Sequence, residues 1–295
     1  MTAPSFVIET APQFDFRATV FSHGWYMLAP FSWDQETAAL STIYRTTAGP
    51  VLSLSISASG PGLRIDLPDL DALEPGLRAE LESLVRRLLR LNWDLRPFYA
   101  AMRGFDAYAW LEAEKRGRIL VGADLWEDLA KVLLTTNTTW AQTVQFCARL
   151  CQLGKPHPSL PGRHAFPSAG QIAALDFAAF ADTLRAGYRN AYLYQLAGVI
   201  ASGQLDLDAW LRLDSDGLFA AVKSLKGFGD YAAGTIARMS GHFDQIAIDS
   251  ACRETYARLH NNGVKGKDAD IARHYAAYGP WQGLVMWMDI MRRHA

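Results

Sequence analysis

The segment Leu225-Lys226-Gly227-Phe228-Gly229-Asp230-Tyr231-Ala232-Ala233-Gly234 constrains this chain more than any other. Ahead of it, Leu218, Phe219, Val222 and Leu225 recur at helical spacing, which predicts a helix from Asp216 to Leu225. Gly227 and Gly229 break that helix, and Tyr231 to Met239 starts a second one. Two glycines around one apolar residue let the backbone turn tightly and aim successive N–H groups, with the positive end of the second helix, at an anion. Such a nest suits a phosphate, although the same glycines also serve simply as helix stops. The spacing to the next acid narrows the choice. The loop Gly241-His242-Phe243-Asp244-Gln245-Ile246-Ala247-Ile248-Asp249-Ser250 delivers a lone acid, 18 positions after Tyr231, just ahead of the helical run Ala251 to His260.

This hairpin, second helix and acid-bearing loop resemble the helix-hairpin-helix DNA glycosylases, the superfamily of endonuclease III, MutY, 8-oxoguanine glycosylase and the AlkA-type 3-methyladenine glycosylases. More of the chain carries the likeness. Leu134-Thr135-Thr136-Asn137-Thr138-Thr139-Trp140-Ala141 is similar to an early helix junction, where Asn137 matches an amide that enters the gap left by the extracted nucleotide. Gly187-Tyr188-Arg189 resembles a turn of the 8-oxoguanine branch that inserts a wedge residue into the duplex, and Phe166-Pro167-Ser168 precedes it as in that branch. Gly279 to Trp287 resembles the final helix that closes the base pocket. The likeness runs from about residue 120 to the C-terminus, and more loosely before it.

The resemblance implies roles residue by residue. Asp249 is the catalytic carboxylate; Tyr231, Trp140, Met286 and Trp287 are base-pocket candidates; Gly227, Gly229, Lys226, Asn137, Tyr188 and Arg189 contact DNA. Each has a plainer alternative. Asp249 is also a suitable helix N-cap, Tyr188 a packed aromatic, Asn137 a cap for a helix at Thr138, and aromatics at helical spacing are commonly core, Trp281 among them. The chemistry favours the acid. As a base leaves, positive charge develops on the sugar, and an ionised carboxylate beside a helix N-terminus stabilises it and guides water. Tyr231 stands where bifunctional relatives carry a lysine nucleophile. Tyrosine forms no imine, and neither Lys223 nor Lys226 matches that position, so base removal without strand cleavage is expected. Asp230 follows the second glycine, where its charge opposes a phosphate; Lys226 or a bound monovalent cation would offset it.

Composition prunes the remaining classes. After residue 151 the only cysteine is Cys252, whereas an iron-sulfur cluster needs four thiolates, so the chain falls with the cluster-free branch and no cofactor or catalytic metal is expected. Cys147 and Cys151, one helical turn apart, read as buried reduced thiols that would hold a metal only with outside help. Net charge is −1, but residues 1–130 hold 12 Lys and Arg against 17 Asp and Glu, and the remainder 17 against 13. The basic half is the half with the hairpin. No apolar run reaches membrane-spanning length and no secretory signal opens the sequence. A soluble monomer is expected, cytoplasmic and nucleoid-associated in a bacterium.

The expected fold is mainly α with an N-terminal antiparallel β-domain, and two helical lobes around a DNA-binding cleft. Strands are predicted at Phe6–Glu9, Phe14–Val20, Ala39–Arg45, Val51–Ser57 and Leu63–Leu67. Helices are predicted at Leu77–Leu91, Phe105–Lys115, Asp124–Leu134, Thr139–Leu153 and Asn190–Ala201, and the proline-rich stretch 155–167 reads as a loop. Boundaries fall at 1–70 for the β-domain, 71–120 plus 250–295 for one lobe, and 121–249 for the other. The expected activity is hydrolysis of the N-glycosidic bond of a damaged base flipped from double-stranded DNA. An apolar, aromatic pocket fits alkylated purines such as 3-methyladenine or 7-methylguanine. Met286 and Ile290 replace the polar reader of the 8-oxoguanine branch. A glycosylase for oxidised, deaminated or mismatched bases, and a non-catalytic DNA-binding module, are the alternatives.

Overall fold

A computed structural model describes residues 3–292. Residues 1–2 and 293–295, the outer ends of the expected β-domain and of one expected lobe, lie outside the described residues. The chain divides into two compact units: the residues up to Asn92 with Arg118–Leu205, and Trp93–Gly117 with the residues from Asp206 on. Sequence alone groups the hairpin and acid loop with 121–249. In the structure they lie in the second unit with 93–117 and the C-terminal helices, where the loop packs on Gly283 and Trp93.

The first unit contains a five-stranded antiparallel sheet, β1 (Ser5–Glu9), β2 (Ser32–Asp34), β3 (Ala39–Arg45), β4 (Val51–Ser59) and β5 (Gly62–Asp66), ordered β1-β5-β4-β3-β2. Its registers pair Leu40 with Ile56 and Ile56 with Ile65, so the branched residues stack on one face and are fully buried. Phe14–Val20, expected as a strand, is not one: Phe16–Val20 is a single short helix, because Asp15 accepts the Ala18 amide at 2.7 Å and caps it. The short edge strand β2 has no counterpart among the predicted strands.

Four longer helices complete this unit: α1 (Pro75–Leu88), α2 (Leu125–Thr135), α3 (Trp140–Cys151) and α4 (Arg189–Ala201). The sheet is tied to α1 where Tyr44 donates to Glu80 at 3.0 Å. Helix α2 is buried almost throughout and carries its charges in pairs, Lys131 with Glu127 at 2.5 Å and Asp128 with Arg87 at 2.8 Å. The Lys131 ammonium also lies 4.6 Å from the Phe31 ring centre. Breaking such a pair would leave an uncompensated charge in the core. Cys147 and Cys151 are buried and unpaired, as the sequence suggests.

The second unit contains α5 (Ser215–Lys223), α6 (Asp230–Met239), α7 (Ser250–His260), α8 (Asp268–Ala276) and α9 (Gln282–Met291), and α7 and α8 meet α9 at a buried carboxylate. Asp289 accepts hydrogen bonds from Tyr108 and Tyr275, both at 3.0 Å, and contacts His260 Nε2 at 2.7 Å. The His274 ring lies 4.1 Å from that of His260. No helix among the described residues is long and apolar enough to cross a membrane.

Burial, and then the neighbouring His260, lower the proton affinity of His274 against the opposing pull of Asp289. A histidine that resists protonation in the fold binds protons more readily unfolded, so its contribution is complete above the unfolded pKa and is lost as pH falls through the folded value. Urea midpoints should therefore drop between roughly pH 7 and pH 5, spanning the ordinary imidazole value. His274→Gln should flatten that dependence, and an equal slope in both proteins would exclude His274 as its source.

Candidate functional site

The hairpin forms as its glycines require. Asp214 caps α5 by accepting the Gly217 amide at 2.8 Å, and α5 ends at Lys223. Gly227 turns at φ +91°, a conformation that side chains resist. Phe228 is buried and anchors the turn, while Gly227 and Gly229 are exposed on either side. Gly229 is the N-cap residue of α6, which has no side-chain cap, so the first amides of α6 keep their capacity for an outside acceptor. A Cβ built on Gly229 would meet nothing within 4 Å. The protein's own packing therefore does not demand glycine there, and the empty space is open to a ligand. Asp230 is paired with Lys223 at 2.6 Å. Lys223, at the end of α5, thus supplies an offset to this acid.

The loop that carries Asp249 is fixed along its length. Gly283 donates to the Phe243 carbonyl at 2.7 Å, Ser215 donates to Asp244 at 2.5 Å, and Gln245 donates to Asp216 at 2.8 Å. Phe243 stacks on Trp281, with ring centres 5.6 Å apart. Two glycines permit this approach. A Cβ on Gly283 would collide with the Gln245 carbonyl oxygen, and one on Gly234 of α6 would stand 2.9 Å from the Ala247 methyl and 3.1 Å from the Ile246 carbonyl. At the loop's end Asp249 is half-buried, and its Oδ1 accepts the Cys252 amide at 2.8 Å. The cap reading and the catalytic reading thus fall on one residue: the cap holds one oxygen and leaves Oδ2 without a hydrogen bond among the described residues.

Tyr231, Thr235 and Arg238 share one face of α6, spaced by whole turns. Tyr231 is half-buried and Arg238 is 2 % exposed. The Arg238 guanidinium lies 4.6 Å from the ring centre of half-buried Trp287 on α9. One of its terminal nitrogens approaches the Thr235 hydroxyl at 3.4 Å; the other, Nη1, is buried with no hydrogen-bond partner among the described residues. Met286, a pocket candidate, is fully buried and presents no surface to a ligand in this conformation. Trp281 is committed to Phe243 and Phe98.

In the first unit the junction between α2 and α3 holds the other candidates. Asn137 sits at φ +47° and donates to the Tyr188 hydroxyl at 3.2 Å. It is not a helix cap; Thr139 caps α3, with Gln142 closing the box. Tyr188 is 49 % exposed. Arg189 differs from expectation. It is buried, and its guanidinium donates to the carbonyls of Thr136, Asn137 and Ala186 while lying against the Tyr188 ring, so it is a brace for the Asn137–Tyr188 pair. Trp140 lies over Gly24, where a Cβ would collide with its ring.

No protein-family model matches this chain. No curated protein matches it either. Solved structures do. MBOgg1 in complex with a low-affinity DNA ligand aligns with a TM-score of 0.77 at 16 % identity, covering 98 % of this chain and 95 % of that one. The Clostridium acetobutylicum 8-oxoguanine glycosylase/lyase bound to double-stranded DNA aligns at 0.77 and 14 %, covering 98 % and 94 %. The Archaeoglobus fulgidus 3-methyladenine DNA glycosylase aligns at 0.77 and 14 %, covering 98 % of each chain. The chain has the fold of the helix-hairpin-helix DNA glycosylases. The glycosylase fold thus accounts for the antiparallel sheet, the helices and the hairpin together.

Sequence reasoning misses Arg238. The signal is present: a lone arginine two turns after Tyr231, among Ala232, Ala233, Ile236, Ala237 and Met239. The two hairpin-region glycines separate packing from ligand space. Gly234→Ala should destabilise the protein by about 1–3 kcal/mol, as overpacking does, whereas Gly229→Ala should stay within about 0.5 kcal/mol of wild type. Paired urea melts check this, and equal stability of the two variants would refute the packing argument.

Proposed function

We propose that this protein is a monofunctional DNA glycosylase that removes a damaged base from duplex DNA by hydrolysis. The observation that carries the reading is the placement of Asp249: an acid on a pinned loop, half-exposed at a helix N-terminus, beside the helix that the hairpin begins. The hairpin amides would hold a backbone phosphate with Gly229 leaving room for it. Tyr188, supported by Asn137 and braced by Arg189, would fill the space left by the extracted nucleotide. With the base swung out, the Asp249 carboxylate would stabilise the positive charge on the sugar and guide water to the anomeric carbon. The product is an abasic site; the reaction needs no cofactor. Tyr231 supports hydrolysis over lyase chemistry because its phenol forms no imine with the sugar. Such an enzyme would work where chromosomal DNA is, in the cytoplasm of a bacterium.

For the base itself, the expectation of an alkylated purine rests on an aromatic pocket. Trp287 is the aromatic of that set that stands with Tyr231 and Asp249 in the second unit, and a buried arginine already lies on it. That contact favours the second reading, an oxidised or deaminated base.

Duplexes bearing alkylated, oxidised, deaminated and mismatched bases, followed by alkaline cleavage of abasic sites, test the activity. Asp249→Asn should slow single-turnover base release by about 10²–10³-fold, while duplex binding is retained. Retention of full activity would remove Asp249 from the mechanism. Silence of the wild type across the panel, with DNA binding intact, would leave a binding module. Borohydride should trap no covalent adduct between the wild-type protein and DNA, and efficient trapping would overturn the monofunctional reading.

A further inference from the structure

We propose that Arg238 sets the charge class of the base this site accepts, favouring a neutral, carbonyl-bearing damaged base that departs as an anion over a base that already carries positive charge. The inference rests on the glycosylase reading and deepens it. Two geometric facts carry it: the guanidinium lies 4.6 Å from the centre of the Trp287 ring, and its Nη1 is buried without a hydrogen-bond partner among the described residues. Buried side-chain donors are normally satisfied, so this guanidinium keeps a charge that hydrogen bonds only partly offset, and Tyr231 and Asp249 lie within its electrostatic reach. The charge persists at neutral pH. Burial lowers the proton affinity of Arg238 to about 10, and Tyr231, Asp249 and Cys252 all favour the protonated form.

The consequences stem from the bond that breaks. When a neutral base leaves, the pair of electrons of the N-glycosidic bond stays on the base nitrogen, the sugar becomes an oxocarbenium ion, and water adds to it with loss of a proton. The departing base is an anion until it takes up a proton. A buried guanidinium nearby stabilises that anion far more than it would in water. A purine alkylated at N7 already carries a positive charge and leaves neutral. For it, Arg238 offers no help in the transition state and repels the bound substrate. The Trp287 face that would otherwise attract a cation is already taken by one.

The test uses the full-length protein. Wild type should release hypoxanthine or 8-oxoguanine with a larger acceleration over spontaneous loss than 7-methylguanine. Arg238→Met should lower release of the neutral bases by about tenfold or more and leave 7-methylguanine unchanged or faster, with Arg238→Lys in between. Binding supplies a readout that does not depend on a variant folding. Wild type should bind an uncleavable duplex carrying 7-deaza-7-methylguanine, the neutral isostere, about fivefold or more tightly than the 2′-fluoro duplex carrying cationic 7-methylguanine. Equal or tighter binding of the cation would overturn the proposal, as would an Arg238→Met variant that slows both classes alike. Failure of the glycosylase reading looks different: no base is released at all, and Asp249→Asn changes nothing.

Discussion

The close approach of the Gly241–Asp249 loop to α6 and α9 is the constraint on which the candidate site depends. It is made without side-chain bulk, through Gly234 on one side and Gly283 on the other, and is held by hydrogen bonds from Ser215, Gln245 and the Gly283 amide. Remove either glycine and a methyl group occupies the position of a carbonyl oxygen or a neighbouring methyl. Because cores relax only partially around such an insertion, the loop would move, and Asp249 with it. The cap bond to Cys252 then fixes the last degree of freedom by holding Oδ1. The acid is thus positioned by backbone geometry more than by any partner side chain.

Charge matters in this chain according to how dry its surroundings are. The Asp230–Lys223 pair is more than half exposed on both sides, and such pairs contribute little to stability; its effect is to offset an acid beside the glycine turn. Arg189 spends its charge on three carbonyls and so becomes scaffolding. Arg238 is dry and lacks a full set of partners, which leaves its field available to whatever occupies the site. A net charge of −1 conceals all three situations.

The parts of the fold legible in the sequence are those written in local chemistry. The glycine pair marks the hairpin, alternating branched residues mark β1 and β3 to β5, and Asp249 ahead of an amphipathic run announces both a cap and an acid. The illegible parts depend on distant contacts or on a single bond. Asp15 converts an apparent strand into a helix with one hydrogen bond. Arg189 reads as a DNA contact because Gly187-Tyr188-Arg189 resembles a wedge turn of the 8-oxoguanine branch, and only the positions of the Thr136 and Asn137 carbonyls show where it is spent. Met286 matches a pocket position by resemblance, yet it is fully buried. The grouping of residues 206–249 with the C-terminal helices depends on packing at Gly283, which has no local signature.

Identities of 14 % and 16 % across nearly the whole chain carry a further lesson. A scaffold that keeps its shape while almost every residue is exchanged does not pass on a substrate with the shape, because the fold constrains only where side chains are presented. Here one face of α6 presents them in series: hairpin amides at its start, Tyr231 in its first turn, a close-packed glycine in the second, and Arg238 beyond. Of these, the glycine is fixed by packing, because a Cβ there would stand 2.9 Å from the Ala247 methyl. On the proposed reading, the first side chain of that series governs whether the chemistry ends at an abasic site, and the last governs which bases are admitted.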